Sequence, residues 1–570
     1  MKPVIYQLIP RLFSNQTPDP VRWGSIEQNG SGKLLDITPS ILKSIRELGC
    51  THVWLTGVIE HAHATDYTAQ GIAPADNPQV VKGLAGSPYA ISDYYDIDPD
   101  IAVDVERRME EFMTTVDRIH ASGMSVVLDF VPNHVARSYH SDARPADAPA
   151  DLGADDDTTV AFAPDNNFYY LPGHTFNPPV APLPGREPYR EMPARASGND
   201  CFTASPGVND WYETVKLNYG IDFTRHGHPA HFNPVPSTWQ KMTHILLYWA
   251  AKGVDAFRCD MAHMVPIEFW SWAISRVKAA YPAVKFIAEI YDVGLYRDYI
   301  FKGGFDYLYD KVNLYDTLRD IQTHGLSASS LTGCWMTVDG IEDRMLNFLE
   351  NHDEQRYASR FYAGDPARVI PALTVAACFG RGAMMVYAGQ ELGERADDEE
   401  GFSGRDGRTT IFDYWSIPTL RRWLKGGEPT GKYLTPRERW LRRRYAAVLG
   451  LCNGVEAVSD GAFFDVMYAN LYNPTIDPHF QYVFIRSTGA DTAVVAVNFG
   501  DRSADMKVVI PAHAFDTLKM KPGKKKVVDL LSNDHYTVDF RPDGEVNIFV
   551  PAQGATVLHL AARSAKAPTR

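Results

Sequence analysis

The sequence predicts an α/β chain: a (β/α)8 barrel, an irregular insertion after its third strand, and a C-terminal antiparallel β-sandwich. Three observations carry this reading. Short apolar strands alternate with amphipathic helices over most of the first 450 or so residues. That alternation implies a parallel sheet, and about eight such units close a barrel. Residues 135–234 break the rhythm, being rich in Asp, Pro, Gly, Asn and aromatics. Such a stretch is too long for a plain loop and reads as a small subdomain. Near residue 455 the helical periodicity stops and strand-like runs take over. The boundaries follow: 1–134 and 235–454 for the barrel, 135–234 for the insertion, 455–570 for the C-terminal β domain.

Element by element, Val4 to Ile9 is the first strand. Thr38 as N-cap, Pro39 at the first helical position and apolar Ile41, Leu42, Ile45 and Leu48 predict a helix closed by Gly49. Thr51 to Thr56 is the second strand, followed by a long loop. Val105, Met109, Phe112, Val116 and Ile119 mark a helix ended by Gly123, and Met124 to Phe130 is the third strand. Beyond the insertion, Ser237 with Gln240 reads as a capping box opening a helix to about Ala251. Strand 254–258, a helix from about Pro266 to Ala280 and strand Lys285 to Ile290 follow. Phe305–Tyr309, Met345–Leu349 and Ala383–Tyr387 are the later strands, and a last helix runs from Pro436 to about Leu451. In the β domain, Gln481–Ser487 and Thr492–Asn498 flank Gly489-Ala490-Asp491 as a hairpin. Met506–Ile510, Val546–Val550 and Thr556–Leu560 continue the pattern.

Composition narrows the function. The 45% hydrophobic and 22% charged fractions are those of an ordinary soluble protein. A net charge of −14 argues against nucleic acid as partner. The run Lys524-Lys525-Lys526 after Pro522-Gly523 reads as a solvated turn. Six cysteines without a C-x-x-C pair suggest reduced thiols and a cytoplasmic protein. The N-terminal apolar run is broken by Gln7, Pro10 and Arg11, so no signal peptide is expected, and no apolar stretch is long enough to span a membrane. Nothing in the sequence fixes the oligomeric state.

The chemistry is concentrated at strand ends, where barrels place their active sites. Arg258 and Asp260 stand two apart after the fourth strand and therefore share a face. An arginine beside an acid holds it ionised, as a nucleophile requires, though a structural ion pair has the same signature. The third strand ends in Asp129-Phe-Val-Pro-Asn-His134, the fifth in Ala288-Glu289-Ile-Tyr, the seventh in Glu350-Asn-His-Asp353. Three acids, two histidines and an arginine would thus converge on one cleft. His61 and His63 near Asp66, and Asp155-Asp156-Asp157, read as loop residues rather than metal sites. Cys259 faces away from its neighbours and reads as core.

These four segments resemble, in order and spacing, the four signature regions of the α-amylase family, glycoside hydrolase family 13. Tyr6 to Phe13, Ser87 to Tyr95 and Tyr387-Ala-Gly-Gln-Glu391 are similar to the family as well. The resemblance implies an enzyme that hydrolyses α-1,4-glucosidic bonds of starch or malto-oligosaccharides with retention, through a covalent glycosyl-enzyme intermediate. It implies Asp260 as nucleophile, Glu289 as acid/base and Asp353 as stabiliser of the strained sugar. Tyr89, His134, His352 and Arg258 are implied to line the subsite where the bond breaks, with Tyr89 stacking under the ring.

Two departures bear on specificity. His263-Met264 stands where many α-amylases have Lys-His, which places His263 among the expected substrate contacts but leaves the acceptor side open. Asn133 matches a calcium-binding side chain, but Lys216 occupies the position of an acidic ligand. No metal or other cofactor is therefore expected. Lys216-Leu-Asn218 also resembles the neopullulanase and cyclomaltodextrinase branch. The rivals are a transglycosidase on the same fold and, more remotely, a non-catalytic sugar-binding protein.

Overall fold

A computed structural model describes residues 1–182 and 186–560. Residues 183–185, in the expected insertion, and 561–570, in the expected C-terminal domain, lie outside it. Eight parallel strands close a barrel in sequence order: β1 (Val4–Leu8), β2 (His52–Leu55), β3 (Ser125–Phe130), β4 (Ala256–Cys259), β5 (Lys285–Ala288), β6 (Tyr307–Tyr309), β7 (Met345–Asn347) and β8 (Ala383–Tyr387), with β8 pairing back onto β1. All eight expected strands are present, seven of them one or two residues shorter than expected, with the loss falling at either end.

A helix follows each strand: α1 (Pro39–Glu47), α2 (Arg108–Ala121), α3 (Ser237–Ala251), α4 (Ile267–Ala280), α5 (Tyr296–Phe301), α6 (Asp316–Thr323), α7 (Val369–Cys378) and α8 (Pro436–Gly454). In α1, Ile41, Leu42 and Ile45 are buried and Thr38 Oγ1 accepts from the Ile41 amide, as the sequence signals. The capping box at Ser237 does not form. Ser237 lies inside α3, where its amide donates to Asp165 Oδ1 at 2.7 Å and its hydroxyl to the Asp165 carbonyl. The insertion thus supplies the cap that the local sequence only mimics.

The register sets the level of the site. Arg258 on β4 stands opposite Asp129 on β3. Gln7 on β1 stands opposite both Trp54 on β2 and Tyr387 on β8. The insertion is anchored by its own short pairing, His134↔Lys216 and Ala136↔Thr214. The loop expected after β2 is not plain loop: it holds an antiparallel pair, Ile59–His61 with Ile91–Ile97.

The C-terminal region is antiparallel. Strands β9 (Ala462–Asp465), β10 (Gln481–Ser487), β11 (Thr492–Asn498), β12 (Ala504–Ile510), β13 (Gly523–Asp529), β14 (His535–Phe540), β15 (Gly544–Val550) and β16 (Gly554–Leu560) form a six-stranded sheet, β9-β10-β11-β16-β13-β14, and a separate pair, β12-β15. The expected hairpin is β10–β11. Strands β9, β13 and β14 and a helix, Ala512–Leu518, were not anticipated, and the lysine run lies in β13 rather than in a turn. At the C-terminal end of α7 two buried cations meet, Lys2 from the barrel's own N-terminal segment and Arg486, which ties this region to the barrel. Lys2 Nζ donates to the Ala377 carbonyl at 2.7 Å and Arg486 Nη1 to the Cys378 carbonyl at 2.7 Å, positive charge meeting the negative end of a helix.

Candidate active site

Arg258 is the centre of the site and is fully buried. Its Nη1 donates to Asp260 Oδ1 at 2.8 Å and to Asp129 Oδ1 at 3.3 Å. Its Nη2 lies 2.7 Å from Glu289 Oε1, and its Nε donates to the Tyr309 hydroxyl at 3.3 Å. One guanidinium therefore serves three carboxyls from the ends of β3, β4 and β5. Its planar fork makes this possible where a lysine would offer a single point of charge.

Glu289 is held at both oxygens: the Met261 amide donates to Oε2 at 2.7 Å and the Tyr291 hydroxyl to Oε1 at 2.7 Å. Met261 adopts the left-handed region, φ +43°, a conformation that costs a non-glycine residue energy and that here aims its amide at Glu289. Asp260 keeps one free oxygen, Oδ2. Burial pushes its carboxyl well above the usual range and outweighs the pull of Arg258; the Glu289, Asp353 and Asp129 charges push it further the same way. Arg258, shared among three acids, does not by itself hold Asp260 low, contrary to the sequence expectation. A cluster of this kind retains a proton somewhere among its members.

The third acid is more open, with the Asp353 side chain 41% exposed. Burial works against its charge, but His352, Arg258 and Arg408 outweigh burial and hold it below the usual carboxylate range. His352 Nε2 lies 3.0 Å from Asp353 Oδ2 and 2.6 Å from the Tyr89 hydroxyl, and Gln7 Nε2 lies 2.7 Å from its Nδ1. With Gln7 Nε2 donating, Nδ1 accepts and Nε2 carries the hydrogen. The Tyr89 ring stacks on His352, centroids 5.0 Å apart, and presents its face to Arg258 at 5.2 Å. His134 is buried beside Trp211, ring centroids 5.0 Å apart, and burial, with Lys216 and Lys82 adding to it, drives its pKa down to about 3. It is a neutral ring, suited to hydrogen bonding rather than to charge.

Asp260, Glu289, Asp353, Tyr89 and His134 line one cavity of about 280 Å³ with Met261 and Tyr291. Arg258 and His352 stand directly behind this wall. His263 is not among the lining residues. It borders a neighbouring pocket with Tyr169, Tyr219 and Phe223, and its ring lies 6.0 Å from Tyr291. The residues that sequence reasoning did not place in the site are Gln7, Trp54, Asp129, Tyr291 and Tyr309. Asp129 and Tyr291 were visible in the strand-end segments. Trp54, whose Nε1 donates to Asp129 Oδ2 at 2.8 Å, reads as core in any strand.

At Asn133, Lys216 Nζ donates to Oδ1 at 2.8 Å and pairs with Asp200 Oδ1 at 2.5 Å. Calcium takes six to eight oxygen ligands. An ammonium seated on the Asn133 oxygen offers none and repels a second cation, so these residues do not fit the ion.

Comparison with known proteins agrees with this geometry. Residues 7–286 match the family model described as alpha amylase, catalytic domain. Maltase 1 of Drosophila virilis is 28% identical over 257 residues, covering 45% of this chain and 31% of that protein. An alpha-1,4-glucan:maltose-1-phosphate maltosyltransferase of Cereibacter sphaeroides is 24% identical over 331 residues, 56% of this chain and 38% of that one. The chain thus spans about a third of the length of these curated relatives. The fold is shared end to end with the alpha-amylase of Geobacillus thermoleovorans solved with acarbose (TM-score 0.62, 18% identity, 99% of each chain). It is shared equally with a cyclic alpha-maltosyl-(1→6)-maltose hydrolase of Arthrobacter globiformis (TM-score 0.61, 19% identity, 98% of each chain). With that match falling on the strand ends that carry Asp129, Arg258 and Asp260, the protein is an enzyme whose residues 7–286 form a catalytic domain of the α-amylase family, glycoside hydrolase family 13.

Proposed function

We propose that the enzyme hydrolyses α-1,4-glucosidic bonds of starch-derived glucans and malto-oligosaccharides with retention. One observation carries the reading: a single guanidinium, Arg258, touches both Asp260 and Glu289. Such a bridge favours the close carboxyl spacing of retaining pairs, about 5–5.5 Å, over the roughly 6.5–9.5 Å that leaves room for water in inverting ones. Asp260 attacks the anomeric carbon through its free Oδ2 while Glu289 delivers its proton to the departing glycosidic oxygen. Glu289 then takes a proton from water, whose oxygen displaces Asp260 and restores the starting state. Asp353, His352 and His134 hold sugar hydroxyls, and Tyr89 supports the ring. No calcium takes part at Asn133, where Lys216 supplies the positive charge. The six cysteines are free thiols and five are buried, which supports a cytoplasmic location; among the described residues no helix is long and apolar enough to cross a membrane.

The test follows the anomer released first from a malto-oligosaccharide by proton NMR, with Asp260→Asn and Glu289→Gln as controls. The α-anomer is expected first, and each variant is expected to lose on the order of 10³-fold or more in kcat on a substrate with a poor leaving group. A β-anomer appearing first, or full activity in Glu289→Gln, refutes the assignment. A second reading, transfer to a sugar instead of water, is favoured by the aromatic pocket of Tyr169, Tyr219, Phe223 and His263 beside Tyr291, which suits an acceptor ring. Products longer than the substrate, formed early from maltotriose, distinguish it.

A further inference from the structure

The cavity around Asp260 and Glu289 contains a second charged pair that the chemistry above leaves unused. Lys82, from the segment after β2, and Glu213, from the insertion, both line it. Lys82 Nζ lies 2.9 Å from Glu213 Oε1, and the side chains are only 10% and 5% exposed. The other Glu213 oxygen, Oε2, is buried without any partner. Burial pushes this carboxyl up despite the pull of Lys82. A buried pair with an orphan acceptor is costly for stability alone, and an unpartnered buried group in a native fold calls for a ligand or another role.

The wall that carries the pair is assembled from three distant segments. Gly83 has φ +67°, and a Cβ there would stand 2.0 Å from the Phe412 carbonyl oxygen, so only glycine lets the two segments meet. The Ala85 amide donates to that oxygen at 3.2 Å. Arg11 binds both sides, donating to the Ile411 carbonyl at 2.6 Å and the Ala85 carbonyl at 3.2 Å. Ile411, Phe412 and Trp211 line the same cavity. At about 280 Å³ it lies just under the roughly 300–1,000 Å³ of sites that enclose a whole small molecule. That volume is small for a glucan, and the charged pair stands in its wall.

We propose that Lys82 and Glu213 read the non-reducing end of the substrate, so that the enzyme is exo-acting. A terminal sugar offers adjacent hydroxyls, each both donor and acceptor. One hydroxyl donates to Glu213 Oε2 while its neighbour accepts from Lys82 Nζ, an arrangement that a mid-chain sugar, substituted at that hydroxyl, does not complete. This inference rests on the glycosidase reading above.

The experiment compares kcat/KM on a 4-nitrophenyl malto-oligosaccharide with a free non-reducing end and on the same compound with the terminal 4- and 6-hydroxyls tied as a cyclic acetal. The wild-type enzyme is expected to prefer the free end by about 100-fold or more, the scale of a lost hydrogen-bond pair plus added bulk. Glu213→Gln and Lys82→Met are expected to raise KM for the free-ended substrate about 10-fold, with the loss falling mainly on KM and the preference shrinking; Lys82→Arg keeps the preference. Equal rates on both substrates by the wild type overturn the inference, whatever the variants' folding. A preference that Glu213→Gln and Lys82→Met leave intact overturns it as well. If neither substrate nor 4-nitrophenyl α-glucoside is turned over, the glycosidase reading itself fails and takes this one with it.

Discussion

Replacing Lys216 by methionine separates a built-in cation from a bound one. The Lys216 side chain is 3% exposed, with Nζ on Asn133 Oδ1 at 2.8 Å and on Asp200 Oδ1 at 2.5 Å. Burial lowers its pKa while Asp200 pulls the other way. Methionine keeps most of the apolar stem and removes the charge. Asn133 is 1% exposed, so its oxygen loses its partner where water does not replace it, at about 1–3 kcal/mol. The Asp200 side chain is 43% exposed and rehydrates, so its share is small. The sum is about 2 kcal/mol, or about 30-fold in the folding equilibrium, and a fall in Tm of several degrees at most for a chain of this size. Thermal unfolding by circular dichroism, run with excess calcium and again with excess chelator, reads the result. The wild type is expected to give one curve under both conditions, and Lys216→Met a lower curve, again the same under both. Lys216→Asp, which places a third oxygen donor beside Asn133 and Asp200, is expected to unfold earliest in chelator and to recover with calcium. A wild-type Tm that falls in chelator, or a Lys216→Met variant as stable as the wild type, refutes the reasoning.

Two further outcomes follow from the same geometry. Tyr291→Phe removes the donor to Glu289 Oε1, a hydrogen bond to a charged group worth about 1.5–3 kcal/mol. Hydrolysis of maltosides with poor leaving groups is expected to slow by about 10–100-fold, and that of 4-nitrophenyl glycosides, which need little protonation, much less; an equal effect on both counts against Tyr291 as a positioning residue for the acid/base. His134 governs acid stability. Its pKa is lowered to about 3 in the fold against about 6.5 unfolded. Its contribution is therefore fully present above pH 6.5 and is lost as pH falls toward 3, at up to about 1.4 kcal/mol per pH unit. Glu350, raised to about 7 by burial despite Arg356, acts in the opposite sense, losing stability as pH rises from about 4.5 to 7. The difference in Tm between wild type and His134→Asn across pH 4–7 isolates the histidine, and a difference that does not change with pH excludes this role.

What the sequence revealed, and what it hid, follows from the range of the interactions involved. The barrel strands are runs of apolar residues closed by polar ones, and both signals are local. The same segments carry Asp260, Glu289 and Asp353, so the acids were legible with the strands. Ser237 has the sequence of a cap, but Asp165 provides it, a contact across the insertion that no window of a few residues contains. The lysine run was misread because Pro522-Gly523 signals a turn. In the fold, only Val528 and Asp529 of β13 pair with β16, while Gly523 to Val528 pair with β14. The lysines thus lie in a two-stranded overhang, where charge on strand faces is tolerated and discourages edge pairing. Lys82 and Glu213 had no signal at all: each is an ordinary charged residue in a loop-rich stretch, and only the joint closure by Gly83, Arg11 and Phe412 makes them a pair.

The raised pKa of Asp260 fits the proposed chemistry. A retaining pair needs one proton and one negative charge between nucleophile and acid/base, exchanged once in each half of the cycle. With Asp129, Asp260 and Glu289 buried around one arginine, full ionisation leaves an excess of negative charge in a poorly solvated place, so the cluster holds a proton tightly. Arg258 touches all three acids, so the proton can move between them without any carboxylate losing its counter-charge. Tyr291 and the Met261 amide hold Glu289 in place beside Asp260. A glycosidic oxygen entering beside Glu289 offers the cluster's proton a new acceptor, and its transfer frees Asp260 to attack. The nucleophile is in this view released by substrate rather than permanently ionised, and what the strand-end Arg–Asp pair contributes is the freedom to move one proton at constant local charge.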